Sequence, residues 1–262
     1  MIMPTFKTEA VVLRARDFAE TDVILTLFTR DRGKMDALVK AGRKSSSRLG
    51  GPCQFLNTIQ LEYFAREHTQ LCRLIRVDLA VNRDPVRMDM VKYAWASLLM
   101  EVVMKSSAEH EAHPELYDQI NLYLDQLHSI ESVRVFSLAH LIRVLAITGF
   151  EPLMTECIRC RRPRPLHRTL EQSVFSFDQQ QGGLICTPCR KGLAPDEPVT
   201  DMTPQMVMFL QAALRDDPEV FRDLKLASND AQILMDIMVN HAGRQLETDL
   251  KSVSFIHAVE TV

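Results

Sequence analysis

Two short motifs carry the densest chemistry in the sequence: "CIRC", with Cys157 and Cys160, and "CTPC", with Cys186 and Cys189. Two pairs of soft sulfur ligands on separate turns can converge tetrahedrally on one ion. Paired CxxC motifs point first to Zn(II) and second to an iron–sulfur cluster. The 25 residues between the pairs exceed the roughly 15–20 of common zinc ribbons, so that stretch is expected to carry its own hairpin. Four cysteines close the coordination sphere, whereas a catalytic zinc keeps one position open for water. The motifs therefore read as a clamp on a proline-rich insertion that has too little apolar area to fold alone.

Catalytic uses of these cysteines fit poorly. A zinc nucleobase deaminase needs His or Cys followed by x-Glu, then Pro-Cys-x-x-Cys. "HPE" at His113 to Glu115 supplies the first half, but neither CxxC follows a proline, and choosing one pair leaves the other without a role. No βαβ pattern surrounds them, as a thioredoxin-like centre would require. His167 is not needed as a ligand beside four cysteines. No GxxxxGK[ST], GxGxxG or GxSxG occurs, so nothing suggests ATP hydrolysis, dinucleotide binding or a serine nucleophile.

The second chemical feature is basic. "KAGRKSSSRLGG" places Lys40, Arg43, Lys44 and Arg48 in twelve residues without a carboxylate, and its glycines and serines let the backbone approach phosphates. Arg14, Arg16, Arg30, Arg32 and Lys34 lie on or near neighbouring strand ends, where Asp17, Asp31 and Asp36 offset several of them. Aromatic platforms for bases would come from Phe6, Phe18, Phe28, Phe55, Tyr63 or Phe64. Most of these must fill a small barrel's interior, and Phe18 is the one expected outside.

The elements that position these residues differ between the two ends of the chain. Five β-branched or alternating segments, "EAVVLRA", "VILTLFT", "KMDALVKA", "NTIQLEYF" and "LCRLIRVDL", read as short strands separated by glycine-rich turns. That count fits an OB-fold, an SH3-like barrel or a sandwich. "VNRDP" at Val81 to Pro85 breaks the pattern, and helical periodicity follows: a long helix from Val86, then Pro114 to Leu127, then Val133 to Thr148 with Gly149 as its stop. Residues 153–192 interrupt the helices, with "SVFSF" as the best strand candidate. Helices resume after Thr203-Pro204, and a final one is expected over Asn229 to Leu246.

Charge divides the same way. Residues 1–80 hold 13 Lys+Arg against 9 Asp+Glu, and the rest hold 18 against 25, within a net charge of only -3. Such asymmetry suggests separate tasks for the two parts. With 46% hydrophobic and 25% charged residues, a packed globular core is expected rather than a disordered or collagen-like chain. The most apolar stretch, Val91 to Met104, is too short and too charged to span a bilayer. No secretory signal is visible at Met1 to Glu9, so a cytoplasmic location is expected. There, reduced thiols favour metal ligation or burial, and Cys53 and Cys72 are expected as small buried apolar residues.

Taken together, "EAVVLRARDFAETDVILTLFTRDRGKMDALVKAGRKSSSRLGG", "ITGFEP" and "FSFDQQQGGLICTPC" resemble the RecO family of bacterial recombination mediators, over nearly the whole chain. The resemblance implies a multidomain α+β protein: an N-terminal OB-fold barrel, an α-helical domain and an inserted zinc module with four cysteine ligands. The expected regions are 1–80 (barrel), 81–152 and 193–262 (helical) and 153–192 (zinc insertion). It also implies a non-enzymatic function: binding single- and double-stranded DNA, annealing complementary strands, and helping the recombinase RecA displace single-strand-binding protein. Family partners are RecR, sometimes RecF, and the acidic, apolar C-terminal tail of single-strand-binding protein, in a nucleoid-associated cytoplasmic setting. Arg43, Lys44 and Arg48 match the family's basic segment, and Cys157, Cys160, Cys186 and Cys189 match its zinc cysteines. One departure is Arg161-Arg162 after "CIRC", where a glycine is frequent. It leaves Arg159, Arg161, Arg162 and Arg164 as a possible second DNA contact. Arg134 and Arg143 are conceivable basic groups for the acidic tail, though a solvent-facing helix edge is the more ordinary explanation of them.

Overall fold

The alternation in the first eighty residues produces β1 (Thr5–Phe18), β2 (Asp22–Thr29), β3 (Gly33–Val39), β4 (Thr58–Phe64) and β5 (Leu71–Val81). The computed structural model describes residues 5–43, 51–65, 71–163, 175–194, 197–215 and 217–260. The strands close into a barrel in the order β1-β2-β3-β5-β4, in which only β3 and β5 run parallel. This is the strand order of the OB-fold. Alternate residues line the interior: Ala10, Val12, Leu25, Leu27, Met35, Ala37, Ile59, Leu61, Tyr63, Cys72 and Leu74 form one buried core. Cys53 and Cys72 are buried as expected, and burial pushes the Cys53 thiol up to about 12. A bulge between Val12 and Arg14 in β1 shifts the register against β2.

Two compact units divide the chain, Met1–His128 and Ser129–Val262. The first contains the barrel with α1 (Asp84–Arg87), α2 (Met90–Ser106) and α3 (Pro114–Leu127). The long helix expected from Val86 begins at Met90, because Asp89 accepts from the amides of Val91 and Lys92 and caps it there. Helix α2 packs on β1, and the cross-strand partners Val11 and Phe28 are fully buried although they point away from the barrel core. Polar contacts fix α3 as well: Tyr117 donates to Glu9 at 2.7 Å, Thr58 donates to Asn121 at 3.0 Å, and the buried Arg83 meets Asp125 at 2.5 Å. Gly33 has φ +63°, and a Cβ there would lie 1.8 Å from the Glu111 carbonyl oxygen. The β2–β3 turn thus touches the α2–α3 connection where only glycine fits.

In the second unit, α4 (Val133–Ile147) packs against α6 (Pro204–Arg215), α7 (Ser228–Gln245) and a 3-10 turn over Pro218–Asp223. Helix α4 stops in a Schellman motif: Phe150 N–H donates to Leu145 at 2.7 Å, Gly149 N–H donates to Ala146 at 3.1 Å, and Gly149 has φ +83°. Thr203 caps α6 through the Met206 amide at 3.2 Å, as its position predicts. The cysteine region folds on a three-stranded sheet, β7-β6-β8, of β6 (Phe175–Asp178), β7 (Gly183–Ile185) and β8 (Val199–Met202), with α5 (Thr187–Arg190) after β7. Beyond the sequence expectations are the short helices α1 and α5, the 3-10 turn, β8, and α8 (Ser252–Glu260), which follows the helix expected to be the last. Among the described residues, no helix is long and apolar enough to cross a membrane.

Candidate metal centre and nucleic-acid interface

The Gly182-Gly183 pair explains how the two CxxC motifs meet. Leu153 N–H donates to Gly182 at 2.9 Å, Leu184 N–H to Leu153 at 3.0 Å, and Ile158 N–H to Leu184 at 2.9 Å. The first motif is thereby laid alongside β7. A Cβ on Gly183 would come 2.3 Å from Ile158 Cγ2, so a side chain would push the motifs apart. His241 of α7 closes the other side, bonded to the Phe150 carbonyl at 2.8 Å and packed where a Cβ on Gly182 would fall.

The four sulfurs of Cys157, Cys160, Cys186 and Cys189 lie within 4.8 Å of one another, and those of Cys160 and Cys186 are 3.7 Å apart. A tetrahedron with metal–sulfur bonds of about 2.3 Å has sulfur–sulfur edges of about 3.8 Å. The cluster can therefore hold one metal ion. Its electrostatics favour one: burial pushes the Cys157 thiol up, but the amides of Cys160, Cys186 and Arg159 outweigh that and hold it at about 6. Cys189 is pushed up to about 12, first by its bond to Cys186 and then by desolvation and the neighbouring sulfurs. Four thiolates at this spacing repel one another, and a cation removes that repulsion.

Around the cluster the arginines are largely engaged. Arg159 bridges the buried Asp178, at 3.4 Å, and Glu197. Arg161 meets Glu156 at 2.7 Å and adopts φ +57°, in the left-handed region that favours glycine. Arg162 is exposed and has no ion pair among the described residues. Arg164 and His167 lie outside the described residues. His113 and Glu115 of "HPE" form the start of α3.

On the barrel, the expected basic residues fall into distinct environments. Arg16 pairs with Asp36 at 2.9 Å, Lys40 with Asp22 at 2.7 Å, and Arg43 with Asp17 at 3.4 Å. The Lys40 ammonium beside Asp22, with the Ala41 amide, holds that carboxyl below the usual carboxylate range. Lys34 is half-buried and donates to the Met104 carbonyl at 2.8 Å, near the C-terminus of α2, so its charge serves the helix end. Arg30 meets Asp118 at 2.5 Å, and Arg32 lies 4.2 Å over the Phe6 ring. Arg14 is exposed without an ion pair among the described residues; Lys44 and Arg48 lie outside them.

Phe18 is 47% exposed, as expected, whereas Phe28 and Tyr63 are buried and Phe6 stacks on Tyr63 at 5.5 Å. Arg73 of β5 is exposed and unpaired among the described residues, and no run of basic residues in the sequence points to it. Arg134 and Arg143 are not loose on a helix edge: Arg134 meets Glu260 at 2.6 Å, and Arg143 donates to the Leu214 carbonyl at 2.8 Å.

Comparison with known proteins agrees with this geometry across both units. Residues 2–82 match the family model described as recombination protein O N terminal, and residues 87–254 match recombination protein O C terminal. The DNA repair protein RecO of Desulfatibacillum aliphaticivorans is 28% identical over 262 residues, covering 97% of each chain. That of Myxococcus xanthus (strain DK1622) is 28% identical over 262 residues, 98% of this chain and 99% of its own. That of Thermoanaerobacter sp. (strain X514) is 24% identical over 271 residues, 99% and 100% of the two chains.

Proposed function

Because the chain belongs to the RecO family of DNA repair proteins, we propose that it is a recombination mediator without catalytic turnover. In this reading it binds single- and double-stranded DNA, anneals complementary strands and helps load RecA onto strands coated with single-strand-binding protein. The observation that carries the reading is an OB-type barrel bearing exposed cations and an exposed aromatic, Phe18, within a chain that matches the family along its length.

The DNA contacts proposed are Arg14, Arg16, Lys40 and Arg43 on the barrel, Lys44 and Arg48 in the loop, and Arg161 and Arg162 beside the cysteines. Lys34 would act indirectly, by holding α2 against the β2–β3 turn. One structural Zn(II) would be held by Cys157, Cys160, Cys186 and Cys189, and its thiolate bonds would stabilise the β6–β7 hairpin. RecR, the tail of single-strand-binding protein and, in some settings, RecF are the proposed partners, at the nucleoid in the cytoplasm. Residues 1–80 would handle DNA, 81–152 and 193–262 partners, and 153–192 the metal.

Pairing of three barrel cations with aspartates favours a second reading, a protein-interaction scaffold with weak DNA contact. Titration of a labelled single strand against salt separates the two. Six or more phosphate contacts predict roughly a thousandfold loss of affinity between low and moderate salt. A flat response would leave the scaffold.

A further inference from the structure

Register on the outer barrel wall brings together residues that are far apart in sequence. Arg16 of β1 is in line with Ile24 of β2, Ile24 with Leu38 of β3, and Leu38 with Arg73 of β5. The next row is Arg14, Thr26, Asp36 and Leu71. Core residues Leu25, Leu27, Ala37, Cys72 and Leu74 occupy the opposite parity, so both rows face away from the barrel core. At about 4.8 Å per strand, Arg16 and Arg73 are about 14 Å apart, a span of a few nucleotides. Phe18 continues β1 beyond Arg16 at 47% exposure, and Ile75 continues β5 beyond Arg73 at 52%. Between the cations Ile24 is buried and Leu38 half-buried, so the exposed apolar surface is that of Phe18 and Ile75 beside them. Cations next to such side chains suit a single strand, whose phosphates need charge and whose bases need flat apolar partners.

The chemistry of Asp36 is the second observation. One carboxylate oxygen accepts from Arg16 at 2.9 Å and the other from the Thr26 hydroxyl at 2.7 Å. A phosphodiester presents the same arrangement, two anionic oxygens accepting from a guanidinium and a hydroxyl. Asp17 holds Arg43 in a comparable way at 3.4 Å, with its own side chain 68% exposed.

We infer that Arg14, Arg16 and Arg73 form a phosphate track across the barrel wall, apart from the basic loop, and that Asp36 occupies a phosphate position on it, as Asp17 does beside Arg43 of the loop, until DNA displaces them. This rests on the DNA-binding reading above. The aspartates would then set a threshold: a lone anion does not dislodge them, whereas a strand that also engages Arg14, Arg73 and Phe18 does.

The test is anisotropy of a labelled oligothymidylate over a series of salt concentrations, with Asp36→Asn, Asp17→Asn and Arg73→Ala compared with the unaltered protein. Asp36→Asn keeps the side-chain shape and an acceptor for Thr26, and Asp17 is too exposed for its replacement to unfold the barrel. Each asparagine variant is expected to bind roughly two- to fivefold more tightly at low salt, the range set by an exposed ion pair. Arg73→Ala is expected to bind more weakly, with a salt slope shallower by about 0.7. Asparagine variants that bind no more tightly than the unaltered protein overturn the placeholder role, and an unchanged Arg73→Ala removes the track. If the unaltered protein binds and only Arg43→Ala with Lys44→Ala weakens it, the DNA-binding reading stands and this inference fails. If the unaltered protein does not bind DNA, both fail.

Discussion

Replacing Gly33 by alanine tests how the barrel is joined to its helices within the first unit. Gly33 adopts φ +63°, and an alanine there bears about 1–2 kcal/mol of left-handed strain. Its Cβ would also sit 1.8 Å from the Glu111 carbonyl oxygen, so the backbone must move by more than about an ångström to reach ordinary contact. That movement threatens the bond from His110 N–H to the Lys34 carbonyl, 2.9 Å long, and the Lys34 ammonium contact with Met104, at 2.8 Å. Each of these is worth about 1 kcal/mol net. The sum is about 3–4 kcal/mol, a large part of the roughly 5–15 kcal/mol that holds a typical domain together. Urea titration followed by circular dichroism reads the loss. Gly51→Ala is the control, because a Cβ there meets nothing within 4 Å; it should stay within about 0.5 kcal/mol of the unaltered protein. If Gly33→Ala were as stable as Gly51→Ala, the close approach of the turn to the α2–α3 connection would be wrong.

Three further outcomes are expected. Chelation, or Cys157→Ser, should open residues 153–194 to proteolysis and remove about 4 kcal/mol of stabilisation at roughly a thousandfold metal excess over its dissociation constant; an unchanged cleavage pattern contradicts the clamp. Lys34→Ala should lower stability by about 1–2 kcal/mol through the end of α2 while leaving single-strand affinity unchanged, and a steep fall in affinity would return Lys34 to the interface. Burial lowers His140, between Phe136 and Phe221, to about 3, so the unfolded chain takes up its proton more readily below about pH 6.5. Stability should therefore fall as pH drops from about 6.5 towards 3, by about 2 kcal/mol at about pH 5, and His140→Leu should flatten that dependence; identical pH profiles would refute the assignment.

The barrel was legible because its strands are alternating or β-branched segments, most of them separated by turns that contain a glycine or an aspartate, and one buried set joins all five. The cysteine cluster was legible from spacing alone, since two pairs of soft ligands have few other uses. Strand β8 was not: "VTDM" is only four residues long and half polar, and pairing with β6 makes it a strand. Helix α8, "SVSFIHAVE", hides behind β-branched residues of modest helix propensity. The charge state of the proposed DNA face was least visible. Asp36 lies twenty residues from Arg16, and only register brings them to 2.9 Å. A count of basic residues therefore overstated the free cations in "RAR" and missed Arg73, which reaches the same wall from β5.

If this chain handles DNA and also recognises the protein that coats it, both properties should appear in a single assay: annealing of complementary strands coated with single-strand-binding protein, intact or lacking its C-terminal tail. Annealing should be accelerated by this protein, the acceleration should weaken with salt, and it should be largely lost when the tail is removed. Annealing that proceeds no faster with the protein than without it, on intact coated strands at low salt, would contradict the mediator function.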